Sequence, residues 1–367
     1  MSVKQDAPQR PAPATDTPVV PLEIDQLDLR WLGHVLRGKD IRQVVNIECE
    51  KVIWGTATKV LMRLDVEAPA GATRSLRICV KGPFDATLRQ YYDLGIMFVL
   101  EAAFYRDVAP LLDVRLPLCH HAAEDGAYGI VILEDMVAAG CTFASPERAA
   151  TPEQASSVLE VMAGVHRGTS GWKEGRFPWL RLGSVSGRVG IMAMGEGDRF
   201  QDLCARPEVA SALLDGYRDK NRVMSALRKL WDKDDARSDL VLGHGDAHFG
   251  QVYFDAQGKA GLLDWQSIGM MPMMKDVAYF LGGALTVEDR RRHERELLAG
   301  YLNAVARNGG PVVDLEAAWQ DYCAQMLQGI VWALVTEKMQ SSEIIAAFNE
   351  RYGAAMSDLG ALERAEA

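Results

Sequence analysis

The sequence has no C-x-x-C pair: its six cysteines, Cys49, Cys79, Cys119, Cys141, Cys204 and Cys323, are scattered singly along 367 residues. That spacing fits neither a zinc loop nor a disulfide framework, so reduced, mostly buried thiols of a cytoplasmic protein are the expectation. Long hydrophobic runs are missing too. The longest, such as Leu94 to Leu100 and Ile330 to Val335, fall far short of the roughly 20 residues that span a bilayer, which predicts no membrane span. Nor is there an excess of positive charge: 40 Lys and Arg against 50 Asp and Glu leave a formal charge of −10. A phosphate-rich partner is repelled on average, which argues against nucleic acid. The first twenty residues carry Pro8, Pro11, Pro13 and Pro18 but no continuous apolar stretch, so residues 1–21 read as a disordered lead-in rather than a signal peptide.

What is present is an ordinary globular mix, 48% apolar and 25% charged, in a chain long enough for two lobes at about 100–200 residues each. Ile24, Leu27, Trp31, Leu32, Val35 and Leu36 recur at helical spacing. Val44 to Trp54, Thr58 to Val66 and Ser75 to Val80 then read as three antiparallel strands, divided by Gly55 and by the Pro-Ala-Gly-Ala turn at 69–72. Leu94 to Val108 returns to helical spacing, and Val114 to Leu118 and Tyr128 to Leu133 read as two more strands. A helix within a small, mostly antiparallel sheet is an α+β lobe. Beyond Glu134 the pattern is mainly helical, with helices expected at 152–168, 206–230, 287–306, 314–338 and 341–357. Short strands are expected at Leu240 to Leu242, Gln251 to Phe254 and Ala260 to Leu263, the last two joined by the turn Asp255-Ala256-Gln257-Gly258. The division follows: residues 22–136 an N-lobe, residues 137–367 a helical C-lobe, with a cleft between them as the natural ligand site.

The densest cluster of reactive side chains is Gly243-His244-Gly245-Asp246-Ala247-His248-Phe249-Gly250-Gln251, followed by Leu262-Leu263-Asp264-Trp265-Gln266. Each aspartate ends a short apolar run, so a hairpin folds Asp246 and Asp264 onto one side of a cleft. Asp264 with the amide of Gln251 offers a hard cation such as magnesium the oxygen ligands it prefers. Asp246 can then accept a proton from an attacking hydroxyl. A second reading takes His244, Asp246 and His248, alternate residues of an extended segment, as the metal ligands of a hydrolase. It needs further ligands, and no other histidine lies in a ligand motif.

The same stretch resembles the catalytic loop and metal-binding segment of the aminoglycoside phosphotransferase and choline kinase-like superfamily, in particular its ecdysteroid kinase-like branch: H-G-D-x-H-x-x-N, a hairpin, then D-[WF]-[QE]. Lys275-Asp276-Val277-Ala278 resembles the family's R/K-D-[LV]-A step, and with the upstream matches the likeness runs from about residue 22. It implies a two-lobed protein-kinase-like α+β fold and an ATP- and Mg2+-dependent transfer of phosphate to a hydroxyl on a small molecule. By this resemblance Asp246 matches the catalytic base, Gln251 the amide metal ligand and Asp264 the metal-chelating aspartate, while His244 and His248 belong to the catalytic loop. The family's Asn is Gln251 here, which keeps the amide oxygen and adds a methylene. Lys81, at the end of its strand, matches the phosphate-holding lysine and Glu101 the helix glutamate that orients it. The single-glycine hairpin Val52 to Val60 stands where a phosphate-covering loop belongs, with the hydroxyls of Thr56 and Thr58 in that part. Leu133-Glu134-Asp135-Met136 resembles the interlobe hinge, where Glu134 and Met136 pair with adenine through their main chain.

The acceptor expected from the branch is a hydrophobic alcohol or another small metabolite, with Phe249, Trp265, Trp319, Tyr322 and Trp332 as candidate pocket walls. An aminoglycoside is the alternative acceptor. A non-catalytic nucleotide-binding pseudokinase, suggested by Gln251 and the single-glycine loop, is the alternative function. The charge run Glu288 to Glu296 reads as a solvated, self-paired helix face. The Met270-Met271-Met273-Met274 cluster suits a pocket wall or loop packing equally. The sequence leaves the oligomeric state open.

Overall fold

A computed structural model describes residues 19–38, 40–55, 57–91 and 95–367. The first eighteen residues of the expected lead-in, and Thr56, lie outside the described residues. A 3-10 turn at Ile24–Gln26 and a helix at Leu29–Val35, capped by the Asp28 carboxylate on the Trp31 N–H, open the fold. They are one expected helix broken by its cap. Strands β1 (Gln43–Ile53), β2 (Thr58–Glu67), β3 (Thr73–Gly82), β4 (Cys119–Glu124) and β5 (Gly129–Glu134) form an antiparallel sheet in the order β1-β2-β3-β5-β4. The strict alternation of β2, one face buried, matches its period-two pattern. The strand expected at 114–118 is loop, and β4 starts at Cys119. Pro117 explains the delay, since it cannot donate to a ladder.

Between β3 and β4 the helix Gly95–Ala103 continues into a wider π-turn at Phe104–Val108. Its far end leaves the sheet. Phe104 stacks on Trp265 at 4.1 Å between ring centroids, a contact worth about 1 kcal/mol beyond burial. One apolar core lies on the outer side of the sheet, around Trp31, Leu64, Ile78 and Ile132. A second, larger one runs from Phe104 and Val131 through the helical part.

That part holds five short strands: β6 (Thr142–Phe143), β7 (Val241–Gly243), β8 (Val252–Phe254), β9 (Ala260–Leu262) and β10 (Gly269–Met271). β8 and β9 form the expected hairpin, with β6 added at its edge, and β10 pairs with β7. The helices at Pro152–Thr169, Val287–Ala306 and Ser342–Leu359 fall where the spacing places them. The stretch 206–230 instead breaks into Pro207–Ala210, Asp215–Arg218 and Lys220–Asp235, and 314–338 bends through a 3-10 segment at Met326–Ile330. Helices at Val185–Met194 and Met273–Ala284 were not expected; the second buries every residue, so it shows no amphipathic period. The four methionines pack in β10 and at the head of this helix, all buried. The resulting architecture is α+β: an antiparallel sheet region followed by a mainly helical part.

Candidate active site

β7 ends at Gly243, and the chain turns through Gly245 in a left-handed conformation with φ +82°. A Cβ here would stand 2.0 Å from the Ser267 carbonyl oxygen, so the turn requires glycine. Asp276 fixes the turn from the helix Met273–Ala284: its carboxylate accepts the N–H groups of His244 at 2.5 Å and of Gly245 at 3.0 Å. Behind it stands His166, with Nε2 3.5 Å from Asp276 and Nδ1 2.6 Å from the Tyr301 hydroxyl. Burial alone would raise the Asp276 pKa, but the His166 contact outweighs it and holds the group at about 2. His244 braces the loop from within. Its Nε2 donates to the Leu263 carbonyl at 2.8 Å, and its Nδ1 accepts the Asp246 N–H at 3.3 Å. Asp276 belongs to a motif the sequence displays; His166 and Tyr301 carried no sequence signal beyond their place on apolar helix faces.

Asp246 projects from the turn with a third of its side chain exposed. The Tyr279 hydroxyl donates to it at 3.2 Å, and His248 Nε2 lies 3.9 Å away. Desolvation raises the Asp246 pKa to about 6. His248 is buried among Trp332 and Phe348, with Nδ1 accepting the Gly250 N–H, and burial lowers its pKa to about 4. It is therefore a neutral ring at physiological pH. Tyr279 was not singled out from sequence; it stands one turn after Asp276, on the face that looks back at the loop.

Lys81 ends β3 with only 4% of its side chain exposed, between two carboxylates: Glu101 at 2.8 Å and Asp264 at 2.5 Å. Burial opposes its charge, yet the two anions more than compensate and its pKa is raised. Asp264 follows β9 in a left-handed conformation, φ 68° and ψ 60°, which costs a non-glycine residue about 1 kcal/mol or more. It reaches Lys81 with one oxygen, while the other accepts the Gln251 side-chain amide at 3.3 Å. Burial favours its neutral form, but Lys81 outweighs this and holds it at about 2. Glu101, fully enclosed, is pushed upward by burial despite Lys81.

These donors suit magnesium: an ionised carboxylate beside an amide, with the remaining positions left to phosphates and water. Among the described residues no group of three His, Cys, Asp or Glu stands together to hold a metal. The hydrolase reading lacks a first ligand, since both ring nitrogens of His244 are spent on backbone groups, Nε2 on the Leu263 carbonyl and Nδ1 on the Asp246 N–H.

Thr58 faces Gly82 across the β2–β3 ladder, and among the described residues its buried hydroxyl has no hydrogen-bond partner. Glu134 pairs with Ile78, and its carboxylate holds Arg115 and the Leu118 N–H at 2.8 and 2.7 Å. Asp135 caps the following turn through the N–H groups of Val137 and Ala138. Of the expected pocket walls, Trp265 is buried against Phe104 and His244, Trp319 stacks on Tyr322 under Arg295, and Tyr322 bonds Glu294. Trp319 and Tyr322 thus pack with the helix Val287–Ala306, while Trp265 packs beside the loop that carries Asp246. Trp332 alone of the aromatic helix set reaches the site, through His248.

The sequence signature described as "Phosphotransferase enzyme family" matches residues 99–319, and the chain belongs to that family. Solved structures of the same fold include a microcompartment-associated aminopropanol kinase, 13% identical over 91% of this chain and 99% of the other, with a TM-score of 0.50. A choline kinase from Streptococcus pneumoniae is 16% identical over 87% and 94%, with a TM-score of 0.45. A type VIII aminoglycoside-3'-phosphotransferase is 18% identical over 80% and 93%, with a TM-score of 0.45. No curated protein matches the sequence.

Proposed function

We propose that the protein is an ATP-dependent small-molecule kinase that transfers the γ-phosphoryl group to a hydroxyl. The observation that carries this is the cluster Lys81, Glu101, Asp264 and Gln251 beside a partly exposed Asp246, inside a chain of the phosphotransferase family. Residues 22–136 act as the nucleotide lobe and 137–367 as the catalytic lobe. Adenine pairs with the main chain at Glu134 and Met136, where Asp135 shapes the turn. Lys81, oriented by Glu101, binds the α/β-phosphates, and the Thr58 hydroxyl, without a partner of its own, lies where the phosphates enter. Magnesium, held by Asp264 and the Gln251 amide oxygen, would neutralise charge on the phosphates. An amide rotated by 180° presents that oxygen without moving the side chain.

The acceptor hydroxyl binds at Asp246. Its oxygen forms a bond to the γ-phosphorus as the bond from that phosphorus to the β-bridging oxygen breaks; ADP leaves, and the proton passes to Asp246. Tyr279 orients the carboxylate and His248 walls it off as a neutral ring. His244 acts at one remove, by holding the loop.

With γ-labelled ATP and a panel of alcohols, sterols, amino alcohols and aminoglycosides, the wild type labels at least one acceptor. The Asp246→Ala variant loses at least a thousandfold in kcat and binds ATP as tightly as before. Wild-type turnover by that variant overturns the assignment. Tight nucleotide binding without transfer to any acceptor would favour the pseudokinase.

A further inference from the structure

Lys59 and Lys81 are direct cross-strand partners in the β2–β3 ladder, so their side chains leave the same face of the sheet. The neighbours settle which face. Val60, Met62, Leu64 and Val66 of β2 are buried in the outer core, which turns Lys59 to the opposite side, where Lys81 meets Glu101 at 2.8 Å and Asp264 at 2.5 Å. Val131, the partner of Lys81 on its other flank, belongs to the core shared with the helical part. Lys59 stands half-buried on this face beside Ile53 of β1, at the foot of the hairpin Val52 to Val60. Its charge reaches the site. Burial disfavours a charge on Asp264, and Lys81 first and Lys59 next offset it.

Two like charges directly opposite each other in a sheet are destabilising. The hydrogen bonds of Glu101 and Asp264 go to Lys81 and Gln251, not to Lys59. The hairpin also has a single glycine, Gly55, and it lies outside the left-handed region. Loops that cradle phosphates with main-chain N–H groups use several glycines to bring the backbone close. Where that cradle is reduced, a cationic side chain can supply the positive field instead. We propose that Lys59 is a second phosphate-binding lysine, which holds the β- and γ-phosphates from the hairpin side while Lys81 holds the α- and β-phosphates. This rests on the kinase reading above.

Calorimetry tests it, with magnesium present, by titrating ATP and AMP into wild type, Lys59→Met and Lys59→Arg. Wild type prefers ATP. Lys59→Met binds ATP at least tenfold more weakly and AMP within about twofold of wild type, because AMP lacks the two phosphates that Lys59 holds. Lys59→Arg keeps its ATP affinity within a few-fold. Without nucleotide, Lys59→Met melts no lower than wild type, since the substitution removes one of two opposed like charges. In the transfer assay Lys59→Met raises KM for ATP at least tenfold and leaves KM for the acceptor unchanged.

A lower melting temperature with unchanged ATP affinity makes Lys59 a structural counter-ion of Asp264 and overturns the proposal. Equal losses for ATP and AMP overturn it too, because Lys59 would then act on the fold or on the adenosine part. The two readings fail separately. Wild type that binds neither nucleotide ends the kinase reading and this proposal with it; wild type that binds both, with Lys59→Met indistinguishable, keeps the kinase reading and removes Lys59 from it.

Discussion

A carboxylate that takes a proton from an alcohol works best with a pKa near the working pH, and desolvation brings Asp246 up to about 6. Below that value the group carries a proton and cannot accept another. We therefore expect kcat/KM to rise with pH through about 6 and to level off above it, measured under subsaturating acceptor. Tyr279 pulls the other way, because its hydroxyl stabilises the charged form. In Tyr279→Phe the acid limb moves to higher pH; an unmoved limb would assign it to another group. At this scale the sequence was informative. Asp246, Gln251, Asp264, Lys81 and Glu101 are polar residues in apolar surroundings, and their types and order are distinctive. Tyr279 and His166 were not legible, because a tyrosine or histidine on a buried helix face looks the same whether it packs or donates.

Among the elements, the helix Val287–Ala306 shows where a charge pattern misleads. Its run of alternating charges reads as solvated, yet Arg290 is 1% exposed and chelates Glu294 through one nitrogen at 2.9 and 2.8 Å. Asp358 of the helix Ser342–Leu359 takes its other nitrogen, and the Tyr322 hydroxyl completes Glu294 at 3.1 Å. The sign alternation correctly foretold pairing; only the neighbouring helices made it interior. Breaking one member leaves a buried charge uncompensated, so Arg290→Met should lower stability by about 3–5 kcal/mol. Adding Glu294→Leu should restore much of that loss, as read by urea unfolding at pH 7. Additive losses would mean that the two do not act as a pair.

On the scale of the whole molecule, Lys81 joins the N-terminal sheet to the helical part through Asp264, and the same contact occupies one of the oxygens that would meet magnesium. On the proposed function, binding of Mg–ATP would exchange this internal ion pair for phosphate and metal contacts. Ligand at a hundredfold excess over Kd stabilises by about 2.7 kcal/mol, or roughly 3–4 °C in Tm for a chain of this size. That shift should need magnesium and should vanish in Asp264→Ala while the apo protein still melts cooperatively. A full shift without magnesium would leave Asp264 no role as a ligand.

Most of the strands and helices, the glycine turn before Asp246 and the aspartate after β9 follow from local pattern: period two, period 3.6, and apolar runs ended by Gly or Asp. Those signals depend on neighbours in sequence, so the sequence by itself determined the α+β architecture and singled out most of the polar residues of the proposed site. The distribution of counter-ions is a matter of long-range packing. Only the tertiary structure placed Lys81 between Glu101 and Asp264, buried Arg290 and stacked Trp319 on Tyr322. Burial and charge compensation are decided by residues far apart in the chain, and no periodicity records them.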